Sequence, residues 1–331
     1  SKVTVQGTAF NVNSITVTNS IGGSEKESME SIRKNAPFQY ATQNRMVTAA
    51  DYGTLVLTNY GTLIKDIQAF GGEDALKPEF GVVFLSMVFN DEVTAETIAT
   101  TKNSITDLAD QLSVVGFDIK FDDPVKTFIE TEVFFQFNPK LGSLSLNTIQ
   151  DSVQVAIDSY FTNNIGKFNQ SFRKSNLLND IDEVDTAVLS SRANIKVQRR
   201  FTPALDRLED HTLRYPISLA EADDKNTIVK TTPFQFNGMT CIIENKLNSN
   251  KLQVKALDDQ SIQADNIGSY NPSTGVISIV GLTVQSVIGG DAFIKVSAVP
   301  ANESAISPLR NDILDYDRGP SFASAVNVTT S

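Results

Sequence analysis

Residues 33–52 read RKNAPFQYATQNRMVTAADY, which parses as two helix edges joined by a short extended linker. Pro37 fixes its own φ and lacks an amide proton, so the helix before it is expected to stop near Ala36. Thr48 stands where an N-cap belongs, with Asp51 three positions on, a capping box that starts a second helix running to about Asn59. Tyr52, Leu55 and Val56 then share one apolar face. The linker is polar where a catalytic loop would need its chemistry, yet it holds no nucleophile paired with a base. Arg33, Pro37, Arg45, Thr48, Asp51 and Tyr52 are therefore candidates for structural or assembly roles. Catalytic, cofactor-binding and metal-ligating residues are assigned to none.

Away from this stretch, helical and alternating periods take turns. Residues 3–18 alternate and read as strands of a sheet that continues upstream. Ser24 with Glu27 makes a second capping box, with acids early and Arg33 and Lys34 late, as a helix dipole favours. Residues 63–88 read as two strands, the second from Gly81 to Phe89. Ile98, Ile105, Leu108, Leu112 and Val115 recur at helical spacing from Thr94, and Gly116 is placed to stop that helix. A short strand over 117–121 precedes the clearest one, 127–137, where Ile129, Val133, Phe135 and Phe137 face one way and Glu130, Glu132 and Gln136 the other. Asn147 with Gln150 opens a helix carrying Ile149, Val153, Ile157 and Phe161. A shorter helix over 171–181 and a strand over 187–202 follow. The class this implies is α+β and multi-domain, not a doubly wound sheet.

After Pro203 the texture becomes short strands and turn signals, among them Asn271-Pro272 and Gly289-Gly290. The expected organisation is a strand segment over 1–20, a mixed α+β core domain over 21–202, and a smaller β-rich domain over 203–331. Residues 203–212 form the linker and natural hinge. The tail after Pro320 lacks period and is expected to be flexible, or to pair with a partner.

Composition narrows the function. The chain has 331 residues, 28 Lys plus Arg against 39 Asp plus Glu, and a net charge of −11. That balance argues against a chain that tracks phosphates; the basic run from Arg192 to Arg214 has Phe201 alone, and no pattern of interleaved aromatics. No apolar run approaches the ~20 residues a membrane-spanning helix needs. Cys241 is the single cysteine and His211 the single histidine, so an intrachain disulfide and paired-histidine metal sites are excluded. Glu130 and Glu132 lie two apart on a strand, roughly 7 Å, a spacing glycosidase carboxylates use, but they alternate with apolar residues as any solvated strand face does. The acidic group Asp180, Asp182, Glu183 and Asp185 lacks the glycine and glutamate of a calcium loop and reads as a solvated helix end.

In order and spacing, Arg45-Met46-Val47-Thr48 followed by Asp51-Tyr52 resembles the signature of the phage baseplate J-like family. Gly22-Gly23 leading into Glu27-Ser28 and Ile32-Arg33, then Ile165-Gly166 and the stretch from Phe172 to Val188, extend the likeness over roughly residues 15–202. Where many members have a Gly-Val turn, this chain has Asp185-Thr186-Ala187-Val188. The resemblance implies a structural subunit that dimerises, joins other wedge proteins and closes into a ring around the central hub of a contractile tail. It implies a place in the virion tail baseplate after assembly in the host cytoplasm, no cofactor, and no contact with nucleic acid or membrane. A start at Ser1 fits an excised C-terminal fragment. The rival reading is a glycan- or receptor-binding module in the β-rich part, which needs an exposed aromatic platform. The chain has no tryptophan, and Tyr215 and Tyr270 are the only tyrosines between 203 and 315.

Overall fold

The structure, a computed structural model, describes residues 2–5, 8–11, 29–75, 77–113 and 117–327. Contacts divide the chain into two compact units, Ser1–Asp122 and Asp123–Ser331.

The first unit begins with an antiparallel pair, β1 (Lys2–Val5) and β2 (Thr8–Asn11). Helices α1 (Met29–Thr42) and α2 (Ala49–Tyr60) follow, then β3 (Ile64–Gly71), β4 (Val82–Phe89), α3 (Ala95–Leu112) and β5 (Asp118–Phe121). β3 runs antiparallel to β4, and β5 joins β4 in parallel after the α3 crossover. Such a parallel return needs a crossover of this length. α3 starts at Thr94, whose hydroxyl accepts from the Thr97 amide at 3.3 Å, and ends at Leu112. Gly116, the expected stop, lies outside the described residues, as do the expected strand over 15–18 and the Ser24–Glu27 box.

Pro37 does not end the first helix. α1 passes through it and continues to Thr42. An interior proline removes one helical hydrogen bond and costs roughly 3 kcal/mol in a packed helix. Here residues 36–41 are exposed, so the carbonyl freed at Arg33, itself exposed, meets water. The linker is correspondingly short. Gln43 and Asn44 take left-handed backbone angles, φ 47° and 57°, and turn the chain at once.

The second unit opens with β6 (Val125–Phe137), α4 (Leu146–Asn164), β7 (Phe172–Arg173), α5 (Lys174–Asp182) and β8 (Val188–Phe201). β9 (Leu208–Arg214), β10 (Val229–Thr231), β11 (Phe234–Phe236), β12 (Met239–Asn245), β13 (Lys251–Ala256) and β14 (Ile262–Asn271) come next. The chain finishes with β15 (Val276–Thr283), β16 (Ser286–Val287), β17 (Ile294–Ala298), β18 (Ala305–Ile306), β19 (Asp312–Tyr316) and β20 (Phe322–Asn327). Thirteen of these strands form one sheet, whose main path is β19-β6-β8-β17-β10-β12-β13-β14-β15-β9. The alternation of β6 holds as read: Ile129, Val133, Phe135 and Phe137 are buried in the core, together with Ile149, Val153 and Ile157 of α4 and Leu177 and Ile181 of α5. α4 is capped by Ser145, which accepts from Thr148 at 3.3 Å, two residues before the expected Asn147.

The α+β class stands, but the division at 202/203 falls inside the second unit. β8 pairs with β6 on one side and with β17 on the other, so one sheet spans that position. The expected hinge over 203–212 is tied down as well. The Asp206 amide donates to the Val284 carbonyl at 2.8 Å and the Ala204 amide to Glu209 at 3.0 Å. Nor is the stretch after Pro320 a free tail. β20 lies parallel to β6, with Phe322 opposite Glu132 and Asn327 opposite Phe137, and β19 lies parallel to the first half of the same strand.

Candidate assembly joint and the charged sheet face

Thr48 and Asp51 form the reciprocal cap expected of them. The Asp51 amide donates to Thr48 Oγ1 at 3.4 Å, and the Thr48 amide donates to Asp51 Oδ2 at 2.8 Å. The Val47 amide reaches the same oxygen at 3.2 Å. One carboxylate therefore satisfies two donors outside the first turn, which fixes where α2 begins. Tyr52, one turn in, is 1% exposed and packs with Leu55, Val56 and Met46. Its hydroxyl is buried and lacks a hydrogen-bond partner of good geometry among the described residues. Burial pushes the phenol up, offset in part by the Ser113 side chain.

Arg45 is exposed and donates to Gln43 Oε1 at 2.9 Å. Arg33 and Pro37 are exposed on α1. The six candidates thus separate into a cap (Thr48, Asp51), a core anchor (Tyr52) and three surface positions. The anchor that sequence reasoning missed is Met46. Its side chain is 0% exposed, and its amide donates to the Leu112 carbonyl at 2.9 Å, where Met46 bridges Ser113 at the end of α3. Val47 beside it is equally apolar yet 50% exposed, so hydrophobicity alone did not single out the anchor.

In the second unit, several ionisable side chains are paired with one another across the sheet. Arg199 and Asp312 pair at 2.9 Å with side chains 7% and 2% exposed, and Thr127 donates to the same carboxylate at 2.9 Å. Asp317 takes Lys295 at 2.8 Å, Arg200 at 3.0 Å and Gln198 at 2.9 Å. Burial pushes its carboxyl up, but Lys295 and Gln198 outweigh that and hold it below the usual range. Lys126 pairs with Asp315 at 3.1 Å. Three aspartates in and just after β19 thus stitch the C-terminal segment to β6, β8 and β17. Arg200 also stacks 3.4 Å above the Phe128 ring, a contact that suits the guanidinium plane.

Residues that resembled catalytic groups are likewise engaged. Glu132 pairs with Lys196 at 2.8 Å, which holds its carboxyl down, and Glu130 accepts from Gln198 and Ser297. His211 sits in β9 with its ring 4.1 Å from that of Phe201 and Nε2 3.7 Å from Glu209. Burial pushes the imidazole down against the pull of Glu209 and Asp210. Asp180, Asp182 and Glu183 are exposed at the end of α5. Among the described residues, no group of three or more His, Cys, Asp or Glu is arranged to hold a metal ion.

The capped joint in one unit and the ion pairs of the sheet in the other hold neighbouring secondary-structure elements to one another. Residues 48–118 match the family described as "Baseplate structural protein gp6, C-terminal domain I", and residues 126–200 match "Baseplate structural protein gp6, C-terminal domain III". The class these matches point to is that of a structural baseplate protein, and the chain is similar to the C-terminal domains of gp6. Against baseplate wedge protein gp6 of Enterobacteria phage T4 it is 29% identical over 185 residues, which cover 54% of this chain and 26% of that protein. The chain thus matches about a quarter of that relative's length.

Proposed function

We propose that this chain is a structural, non-catalytic part of a contractile-tail baseplate wedge subunit, located in the virion baseplate after assembly in the host cytoplasm. It associates with itself and with other wedge proteins to build the ring around the central hub, without cofactor, nucleic acid or membrane. The observation that carries the reading is the match to two gp6 C-terminal domains, domain I in the first compact unit and domain III in the second. The pairing of acids and bases inside the second unit supports it, because groups locked in ion pairs are poor acid–base catalysts. Among the described residues no helix is long and apolar enough to cross a membrane. The capped joint of Thr48, Asp51 and Tyr52, with Arg45, Arg33 and Pro37 on its surface, serves assembly by fixing the direction of α2.

The receptor-binding alternative is not favoured. Tyr215 and Tyr270 are each only 2% exposed, so neither offers a platform for a sugar ring. Infection with phage lacking this gene separates the two readings. The expected result is no complete baseplates, restored by the gene supplied in trans. Complete baseplates that merely fail to attach to cells would overturn the proposal in favour of a receptor-binding role.

A further inference from the structure

β11 and β12 are joined by a two-residue loop, Asn237-Gly238, between the paired residues Phe236 and Met239. It is the one Asn-Gly pair in the sequence. Both residues take positive φ, 50° and 78°, as a type I′ hairpin turn demands. Both are exposed, so water reaches the linkage. An Asn-Gly peptide carries an electrophile, the side-chain amide carbon, beside a nucleophile, the next backbone nitrogen. Glycine has no side chain to hinder the approach of the two. Here the Gly238 amide is engaged: it donates to Gln285 Oε1 at 2.7 Å. Gln285 is held in place in turn. Its own amide donates to the Gln235 carbonyl at 3.0 Å, and Ser286 beside it pairs with Gln235 in the β11–β16 ladder.

We propose that Asn237-Gly238 is a site of backbone modification by deamidation, and that Gln285 restrains it. The reaction needs only water. The Gly238 nitrogen gives its proton to solvent and bonds to Asn237 Cγ; the Cγ–Nδ2 bond breaks, and that nitrogen takes up a proton and leaves as ammonia. Water then opens the five-membered imide at one of its two carbonyls, which yields aspartate or isoaspartate. Isoaspartate lengthens the backbone by one carbon, so the loop no longer sets Phe236 opposite Met239. Gln285 acts on the first step. A neutral amide oxygen accepts a hydrogen bond but is not a base, so it retains the Gly238 proton instead of removing it. The bond also pins the peptide plane, which must rotate out of its turn conformation for the ring to close. This goes beyond the wedge assignment and does not depend on it.

The test is the rate at which aspartate and isoaspartate form at position 237, read by peptide mass spectrometry on the folded chain held in warm, mildly alkaline buffer. Gln285→Ala is expected to raise the rate roughly threefold, the kinetic worth of one exposed hydrogen bond. Gln285→Glu keeps an acceptor and sets a negative charge against the forming amide anion, so its rate should equal or fall below the parent's. The parent unfolded in urea, where Gln285 no longer reaches the loop, should react faster than the folded parent. Amide hydrogen exchange reports the bond itself: Gly238 should be protected in the parent and in Gln285→Glu and released in Gln285→Ala, with the amides of β12 unchanged. Equal rates in the parent and Gln285→Ala, a Gln285→Glu rate as high as that of Gln285→Ala, or a folded parent as reactive as the unfolded chain would each overturn the proposal. Loss of protection along β12 in Gln285→Ala would also overturn it, because Gln285 would then support the hairpin as a whole and not this one linkage.

Discussion

Tyr52 offers a pair of substitutions whose effects diverge. Tyr52→Ala removes a ring that is 1% exposed from the core of the first unit, and large-to-small truncation of a buried aromatic costs about 3–5 kcal/mol. Tyr52→Phe keeps the ring and deletes only a hydroxyl that is buried without a hydrogen-bond partner of good geometry among the described residues. Since an unmade bond loses nothing and a desolvated polar group is removed, this variant should match the parent or gain up to about 1 kcal/mol. The two units have separate cores, so a single global transition is not assumed. Hydrogen exchange resolved to peptides spanning α2, measured across a urea series, reports the first unit alone. If Tyr52→Phe lost more than about 1 kcal/mol, the hydroxyl would have to be bonded in the native state, with Ser113 as its partner, and the packing assigned to this joint would be wrong.

Thr48→Ala should destabilise the first unit by about 1 kcal/mol through the lost cap, read in the same exchange experiment. Arg45→Ala should change it by less than about 0.5 kcal/mol, because the side chain is exposed and reaches only Gln43. Asp312→Ala should cost the second unit about 3–5 kcal/mol by stranding the Arg199 guanidinium, with increased protease cleavage between β19 and β20. For His211, burial sets the folded pKa below the ordinary 6.5, so the stability it contributes is present above pH 6.5 and falls as pH drops through the folded value. The stability of the parent relative to His211→Gln in urea unfolding should therefore fall from pH 7.5 to pH 5, and a difference that stays flat would remove the assignment.

Local chemistry was legible in the sequence where a pattern had one physical solution. The Thr48–Asp51 box, the alternation of β6 and the helical period of α3 each demanded the element found. Long-range pairing was less so. β20 reads FASAVN, short and weakly patterned, and its place beside β6 depends on a partner far earlier in the chain. The boundary was also missed, although Asp122-Asp123-Pro124 is a break signal at the division between the units. The texture change at Pro203 drew attention instead, but β8 carries the same sheet up to that position. Pro37 misled for a different reason. A proline ends a helix whose carbonyls are buried, and α1 is solvent-facing there. Of the candidate site, the cap and Tyr52 were readable. Met46 and the ion pairs of the C-terminal segment were not, because burial and cross-strand proximity arise only once the sheet is assembled.

A density map of the intact tail particle places the chain without reference to any relative. The expected result is that both units fit ring density surrounding the central hub, with neighbouring protein density against them. Both units absent from the baseplate, or found only at the tip of a fibre or receptor-binding appendage, would contradict the structural wedge role.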